Sequence, residues 1–471
     1  MSAKIDSTVL APPTDDIPPG AATQDPGLPS GAGDRESASI SSRTGEPSVE
    51  TADIVIVGAR IAGCALAVRF AEAGKRVALL DRGERETDVL STHYLQDLRL
   101  WDELGVLREL HEFGSPPLHS TRTVMDGVDM SVHHPQWPRM CVRRSGLDEL
   151  LRRRVEAVGV PVRTGVTVRR LLKEHNGRVR GVLATRADGS EIRILAPLVV
   201  GADGRNSTVA KLAGSAKYAV TTNDRDAVWR YYRNLPVPPE FQLVRDGRDI
   251  YFMVPCDDGL TLVVAQPPRD DPRDYRNREV FEENAQRIIP TLRGLMAAAE
   301  QVGDVRQVRR MDGYFREAAG PGWVLIGDSG HFKDVITGQG ISDALRQVRM
   351  FTRTVLPEWG SPRTIDRATR RWWKERDAEA RPMYYFSRSI GLGLPTNSVD
   401  IELFRYISAS RRRRDNLTLM LRHEYNPRRL MGLPAAVSMV RAASRPHNSV
   451  VSVVDDARAS LYRQFGRKQA R

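Results

Sequence analysis

Residues 53–81 open with Asp53-Ile54-Val55-Ile56-Val57-Gly58-Ala59-Arg60-Ile61-Ala62-Gly63-Cys64 and close with Val77-Ala78-Leu79-Leu80-Asp81. The run Ile54–Val57 is apolar without a break, as a strand covered on both faces requires. Residues 58–63 make a turn of small side chains around Arg60. Residues 64–73 place Leu66, Phe70 and Ala73 on one helical face, and Gly74 ends that helix. Residues 76–81 return to a strand with an apolar centre. Strand, helix and strand within about 30 residues make a βαβ unit, which implies parallel strands and a right-handed crossover.

The turn carries chemistry as well as shape. A tight strand-to-helix turn needs Gly58, and close helix–strand packing needs Gly63. Between them, the backbone N–H groups of Ala59, Arg60, Ile61 and Ala62 start a helix, where a pyrophosphate is bound favourably. Asp81, with Arg82 after it, lies 18 residues beyond Gly63, where an acidic side chain accepts from a ribose hydroxyl. Arg60 replaces the middle glycine of G-x-G-x-x-G and can add a charge-assisted contact to phosphate.

Two later segments repeat the strand-to-turn grammar. Leu198-Val199-Val200 runs into Gly201-Ala202-Asp203-Gly204-Arg205-Asn206-Ser207, where Asp203 is a hydroxyl acceptor and Ser207 a helix cap. Residues 323–326 run into Gly327-Asp328-Ser329-Gly330-His331 and then Gly338-Gln339-Gly340-Ile341-Ser342. Asp328 stands at a strand end, where ligands bind in open α/β sheets. Gly338 and Gly340 free backbone amides at a helix start, a positive end suited to an anionic ring.

Outward from these motifs, residues 95–110 and 147–158 read as helices, the second with Ser145 as its N-cap. Asp126-Gly127 marks a hairpin, and Asn176-Gly177 and Asp188-Gly189 divide residues 162–195 into a three-stranded meander. Residues 241–244, 249–254 and 260–265 are candidate strands, parted by Asp246-Gly247 and Asp257-Asp258-Gly259. The chain reads as helical from residue 363 onward. Residues 1–51, rich in Pro, Gly, Ser and Thr, are expected to be a disordered tail.

The chain has 471 residues, 41% hydrophobic and 28% charged, which fits a globular protein of two or three domains. No apolar run approaches the ~18 residues of a membrane span, and no secretory leader is read at the N-terminus. Cys64, Cys141 and Cys256 form no C-x-x-C pair, so neither a disulfide framework nor a metal site is expected, and a cytoplasmic setting is. The net charge of +12 is uneven: residues 1–51 hold three basic against eight acidic side chains, residues 401–471 fifteen against five. The Arg411-Arg412-Arg413-Arg414 run reads as a solvated helical surface, with at most weak contact to an anionic membrane. No helix-turn-helix, RNP or zinc-finger pattern accompanies it, so no nucleic-acid partner is expected.

In this order and spacing, the three glycine-acid segments resemble the group A FAD-dependent monooxygenases, the p-hydroxybenzoate hydroxylase-like family, over roughly residues 53–390. Arg144-Ser145-Gly146-Leu147-Asp148 is similar to the family's R-x-x-L segment. The resemblance implies an α/β chain with a FAD-binding Rossmann-like domain of the glutathione reductase type. An inserted antiparallel β-sheet substrate domain and a helical C-terminal extension complete it. The implied divisions are residues 52–125, 140–217 and 314–360 for the FAD-binding domain, 126–139 and 218–313 for the substrate domain, and 361–471 for the helical region.

The same resemblance implies site roles. Gly58, Gly63 and the amides between them would hold the FAD pyrophosphate, and Asp81 the adenosine ribose. Arg144 would reach the cofactor from its helix start. Asp203 and Gly204 belong to a motif tied to both FAD and NAD(P)H. Gly327 and Asp328 would hold the ribityl–phosphate portion, while Gly338, Gly340 and Ile341 would face the flavin ring. Two positions depart from the family pattern: Arg60, and Asp334-Val335 where a Pro-Pro pair is common. The implied chemistry is reduction of FAD by NAD(P)H, reaction with O₂ to a flavin C4a-hydroperoxide, and oxygen transfer to a small organic substrate, aromatic or a secondary metabolite. Trp229, Arg230, Tyr231, Tyr251, Met253 and Met383-Tyr384-Tyr385-Phe386 are candidate substrate contacts, and His93 a candidate neighbour of the flavin. No catalytic base is assigned. A flavin-dependent reductase of an isoprenoid-type substrate is the alternative on the same fold; the W-x-W-x-I-P halogenase signature is absent, and Trp372-Trp373 does not match it.

Overall fold

The strand Ile54–Val57, buried at every position, is inner to a six-stranded sheet. Val77–Leu80 and Val199–Gly201 flank it in parallel, and Trp323–Leu325 pairs in parallel with Val199–Gly201. Val162–Arg163 closes one edge and the short antiparallel strand Ala319–Gly320 the other. Unbroken Val, Ile and Leu runs form these strands because both faces are covered, by helices and by the meander of residues 167–195, whose Val182, Ala184, Ile192 and Ile194 join the same core. The helices Ile61–Glu72, Arg144–Ala157 and Gly340–Val355 bury Leu66, Phe70, Leu151, Leu345 and Phe351 against the sheet in one core. This computed structural model describes residues 48–83 and 94–430.

A second, eight-stranded sheet is built on Ala227–Arg233, Glu240–Asp246, Asp249–Pro255 and Thr261–Ala265. The three expected strands and both turns fall where the sequence puts them. This sheet has two differently clothed faces, because side chains alternate along a strand. Val228, Tyr232, Tyr251, Met253 and Val263 point toward the helix Arg278–Ile288 and form one core with Phe281 and Ile288. Trp229, Phe252, Val254, Leu262 and Val264 form another with Tyr94 and Phe241. The helices Pro362–Ile390, Ser398–Ser408 and Arg411–Leu421 pack a third cluster of Met383, Phe386, Leu403, Ile407 and Met420 against Met125 and Met130. Among the described residues, no helix is long and apolar enough to cross a membrane.

Several expectations need correction. Order begins before residue 52: Ser48–Thr51 is a strand parallel to Glu191–Leu195, where the meander offers an open edge. Residues 1–47 of the expected tail, and 431–471 of the expected helical region, lie outside the described residues. The first helix starts at Ile61, three residues early, so Gly63 sits inside its first turn. Residues 95–110 form two short helices, Arg99–Asp102 and Leu107–His111, because Gly105 adopts a left-handed φ of 71° between them. The helix expected from residue 147 begins at Arg144, and Ser145 is not its cap. The N-cap residue is Arg143, with no side-chain cap; Asp257, from across the fold, fixes it by accepting its backbone N–H through Oδ1 at 2.9 Å and its guanidinium through Oδ2 at 2.9 Å. The eight-stranded sheet also reaches back to residue 120, because Ser120–Met125 pairs in parallel with Glu240–Asp246.

Candidate active site

Four parallel strands deliver their C-terminal ends to one cavity of about 490 Å³. Gly58 follows the first, Asp81 the second, Ala202 and Asp203 the third, Ile326 and Gly327 the fourth, and all of them line the cavity. This is the place where open α/β sheets bind ligands. Arg60, Ile61, Ala62, Arg82, Arg144, Gly204, Asp328, Gly338, Gly340 and Ile341 line it too. Segments separated by more than 250 residues therefore share one wall. Ala59 and Gly63 lie behind that wall, in the packing that shapes it.

The glycine turn is fixed by contact. Gly58 has φ +104°, and a Cβ there would meet the Ala202 carbonyl oxygen at 2.5 Å. A Cβ on Gly63 would meet the Gly58 oxygen at 1.7 Å. Asp81 braces the same turn: its Oδ2 accepts the Ala59 N–H at 2.7 Å and its Oδ1 the Gly83 N–H at 2.8 Å. The helix Ile61–Glu72 has no side-chain cap and no acidic residue in its own first turn, so its N–H groups turn their positive end toward the cavity.

The acidic residues are held in different states. Asp203 Oδ2 accepts from the Thr208 and Val209 N–H groups at 2.7 and 3.1 Å, and Ser207 caps the same helix through Ala210 N–H at 2.9 Å. Asp203 Oδ1 is buried without a partner, and burial raises its pKa. Burial pushes Asp328 up to about 6, against the pull of Arg205 and Arg144. Arg144 grips Asp148 at 2.9 and 3.1 Å, while its Nε is buried and unpartnered. His331 lines the cavity against Phe315 at 4.5 Å; burial drives its pKa well down, and its Nε2 has no partner. Beside it Lys333 Nζ lies 2.8 Å from Asp343 Oδ2 and donates to Gln339 Oε1 at 2.6 Å. His423 Nε2 approaches Asp343 Oδ1 at 2.8 Å, off the line of a good hydrogen bond.

These features fit a dinucleotide. A Cβ-free cradle accepts a pyrophosphate, and orphaned buried polar atoms at Asp203, Arg144 and His331 suit a large polar ligand.

A second, apolar cavity of about 140 Å³ adjoins the first, since Val335 and Gly338 line both. Thr121, Phe241 and Phe252 from the sheet form one wall, and Phe386, Leu403 and Leu417 from the C-terminal helices form another. Of the candidate substrate contacts, Trp229 lines the first cavity and Phe386 the second. The others do not reach either. Tyr251 and Met253 point to the opposite face of their sheet, toward Phe281. Arg230 donates to Gln301 Oε1 at 2.5 Å on that face. Tyr231 shares the Trp229 face but packs further along the strand. Tyr384 donates its hydroxyl proton to the Ala219 carbonyl at 2.6 Å and lies 4.8 Å from the Phe315 ring, inside the protein. Met383 is core, and Tyr385 packs edge-on against Tyr384. His93 lies outside the described residues. Aromatic side chains were legible in the sequence; which face each takes depends on the covering helix. Gln96, Phe241, Phe252 and the helical wall had no motif to mark them.

Comparison with known proteins gives these features a family. Residues 51–372 match the FAD binding domain family. The chain is 30% identical over 312 residues to the 6-methylpretetramide 4-monooxygenase of Streptomyces rimosus, covering 62% of this chain and 72% of that one. It is 23% identical over 319 residues to the 1H-pyrrole-2-carbonyl-[peptidyl-carrier protein] brominase of Pseudoalteromonas luteoviolacea, covering 63% and 75%. In fold it resembles a triple mutant of the flavin-dependent brominase Bmp2, with a TM-score of 0.67 at 18% identity, over 82% of this chain and 97% of that one. The chain thus belongs to the FAD-binding-domain family, among the p-hydroxybenzoate hydroxylase-like, FAD-dependent monooxygenases.

Proposed function

We propose that this FAD-dependent monooxygenase holds FAD along the 490 Å³ cavity and its organic substrate in the adjoining apolar one. The observation that carries this reading is the junction of the two at Val335 and Gly338. The parallel sheet then serves as a glutathione reductase-type FAD-binding domain. The eight-stranded sheet serves as the substrate domain inserted into it, and the helices from residue 361 as an extension that walls the substrate.

The residues divide the work. The N–H groups that start the helix Ile61–Glu72 face the pyrophosphate, and Arg60 and Arg144 add positive charge. Asp81 and Asp328 accept hydroxyl protons of ribose and ribityl. Gly338, Gly340 and Ile341 bring backbone amides and no bulk to the ring. FAD held there would, once reduced by NAD(P)H, supply the activation of O₂ that no protein side chain provides. The apolar second cavity excludes water from that event, and His331 is held neutral beside it. An aromatic, methylpretetramide-like substrate is supported by the monooxygenase relative and by the aromatic wall.

Turnover under ¹⁸O₂ tests the reading. Substrate-stimulated NAD(P)H oxidation with one ¹⁸O atom in the product is the expected result. A halide-dependent product, or turnover without O₂, would replace the monooxygenase assignment with a halogenase or a reductase.

The corrected side chains give a contrasting prediction. Tyr251→Phe leaves kcat and KM within about twofold, because the hydroxyl faces Phe281 rather than either cavity. Tyr384→Phe removes a hydrogen bond to the Ala219 carbonyl and lowers stability by about 1 kcal/mol. A thermal melt and steady-state kinetics check both.

The basic run Arg411–Arg414 is partly engaged in local structure, which weighs against a membrane role. Arg413 stacks on Tyr406 at 3.9 Å, and Arg414 donates to the Ser408 carbonyl.

A further inference from the structure

Gln96 follows the strand Tyr94–Leu95 and is 4% exposed, yet it lines the second cavity. Its Nε2 donates to the Thr337 carbonyl at 2.8 Å and to the Gly338 carbonyl at 3.3 Å. Both partners are acceptors, so the nitrogen of the amide is the atom that faces them. The Oε1 is turned from that loop and accepts no hydrogen bond from the described residues. The residue is held on its other side as well, because Arg422 donates to its backbone oxygen at 3.2 Å. Gln96 lines the cavity, so its amide oxygen, which takes no hydrogen bond from the described residues, is placed to accept one from a ligand.

The surroundings define that ligand. Tyr94 stacks on Phe241 at 4.4 Å, and Phe252, Leu403 and Phe404 complete an apolar enclosure. Three buried arginines line it but have no need of an anion: Arg422 is paired with Asp97 and Glu424. Arg139 donates to the Leu118 and His119 carbonyls, and Arg245 to those of Gly247 and Leu394.

We propose that Gln96 is a positioning and specificity residue that orients an apolar ring compound by accepting a hydrogen bond from its hydroxyl or N–H group. Its amide nitrogen simultaneously fastens the Thr337 and Gly338 carbonyls, and Gly338 lines both cavities. This inference rests on the second cavity being the substrate site. The distance from substrate to cofactor is then set through one side chain, with the ring donor on one face of the amide and the cofactor loop on the other.

The test uses FAD-loaded protein and two probes of nearly equal shape, 1-naphthol and naphthalene, titrated by the change in flavin absorbance and by calorimetry. Wild-type protein is expected to bind 1-naphthol roughly three- to tenfold more tightly than naphthalene, the worth of one net hydrogen bond. Gln96→Met, which keeps the volume, brings the ratio to about one, a change that a merely structural role would not cause. Gln96→Glu keeps an acceptor and preserves the preference, but sheds FAD faster because it no longer donates to the loop. A preference that survives in Gln96→Met overturns the role of Gln96. Phe404→Trp fills the cavity and weakens both probes equally. If it leaves both affinities unchanged, or if wild-type protein binds neither probe, the cavity reading itself falls and the inference with it.

Discussion

Gly58→Ala is expected to yield protein that purifies without flavin and binds added FAD at least about 100-fold more weakly. At φ +104° an alanine is strained before any neighbour is considered. Its Cβ would then lie 2.5 Å from the Ala202 oxygen and 2.9 Å from the Asp203 Cα. Both are backbone atoms of the adjacent strand end, so neither can swing aside. Strain and overpacking together cost about 3–5 kcal/mol, a large part of a typical folding free energy. Relief requires parting the first and third strand ends, which are the floor of the cavity. Gly74→Ala is the control. Gly74 also has a left-handed φ, +71°, but a Cβ there meets nothing within 4 Å. It should cost about 1 kcal/mol and leave FAD affinity unchanged. Fluorescence titration of FAD and thermal melts of both variants make the comparison.

Asp328→Asn is expected to move two properties in opposite directions. Burial raises the Asp328 pKa from 3.8 to about 6, so the fold favours its neutral form. A carboxyl raised in the folded state contributes stability that is complete below pH about 4 and is lost as pH rises through about 6. Flavin-free protein at pH 8 therefore bears a charge that the fold resists, and an uncharged amide in its place removes it. The flavin-free Asp328→Asn variant should be more stable by about 2 kcal/mol at pH 8, allowing for the partial opening of the site to solvent. The advantage should shrink below pH 5, where both side chains are neutral. FAD affinity should fall about ten- to 100-fold, because a charged acceptor of a ribityl hydroxyl is replaced by a neutral amide. A variant that weakens FAD without stabilising the flavin-free protein would refute the electrostatic account of Asp328.

The residues that local rules govern were legible in the sequence. Ile54–Val57, Val77–Leu80 and Val199–Gly201 read as buried strands because their apolar runs are unbroken, and Asp126-Gly127, Asn176-Gly177 and Asp188-Gly189 turn where φ must be positive. Gly58 and Gly63 stand where a Cβ cannot, so their spacing encodes the cradle. What depended on distant partners was not legible. Ser145 resembles a cap, but the helix starts at Arg144, after an Arg143 that Asp257, more than 100 residues away, holds in place. Tyr251 and Trp229 are equally aromatic, and only the helix Arg278–Ile288 decides which one faces away from the cavities. The second cavity takes one wall from helices beyond residue 390, past the end of the family match at residue 372. Gln96 meets the Thr337 and Gly338 carbonyls only in the folded chain, more than 200 residues along.

The most direct test of the account is the visible spectrum of the purified protein, read alongside the same spectrum for Gly58→Ala. One FAD per chain, carried by the wild type and missing from the variant, is the predicted result. A colourless wild type that refuses added FAD, or a Gly58→Ala protein that holds it as well as the wild type, would contradict the claim that these four strand ends form the flavin site.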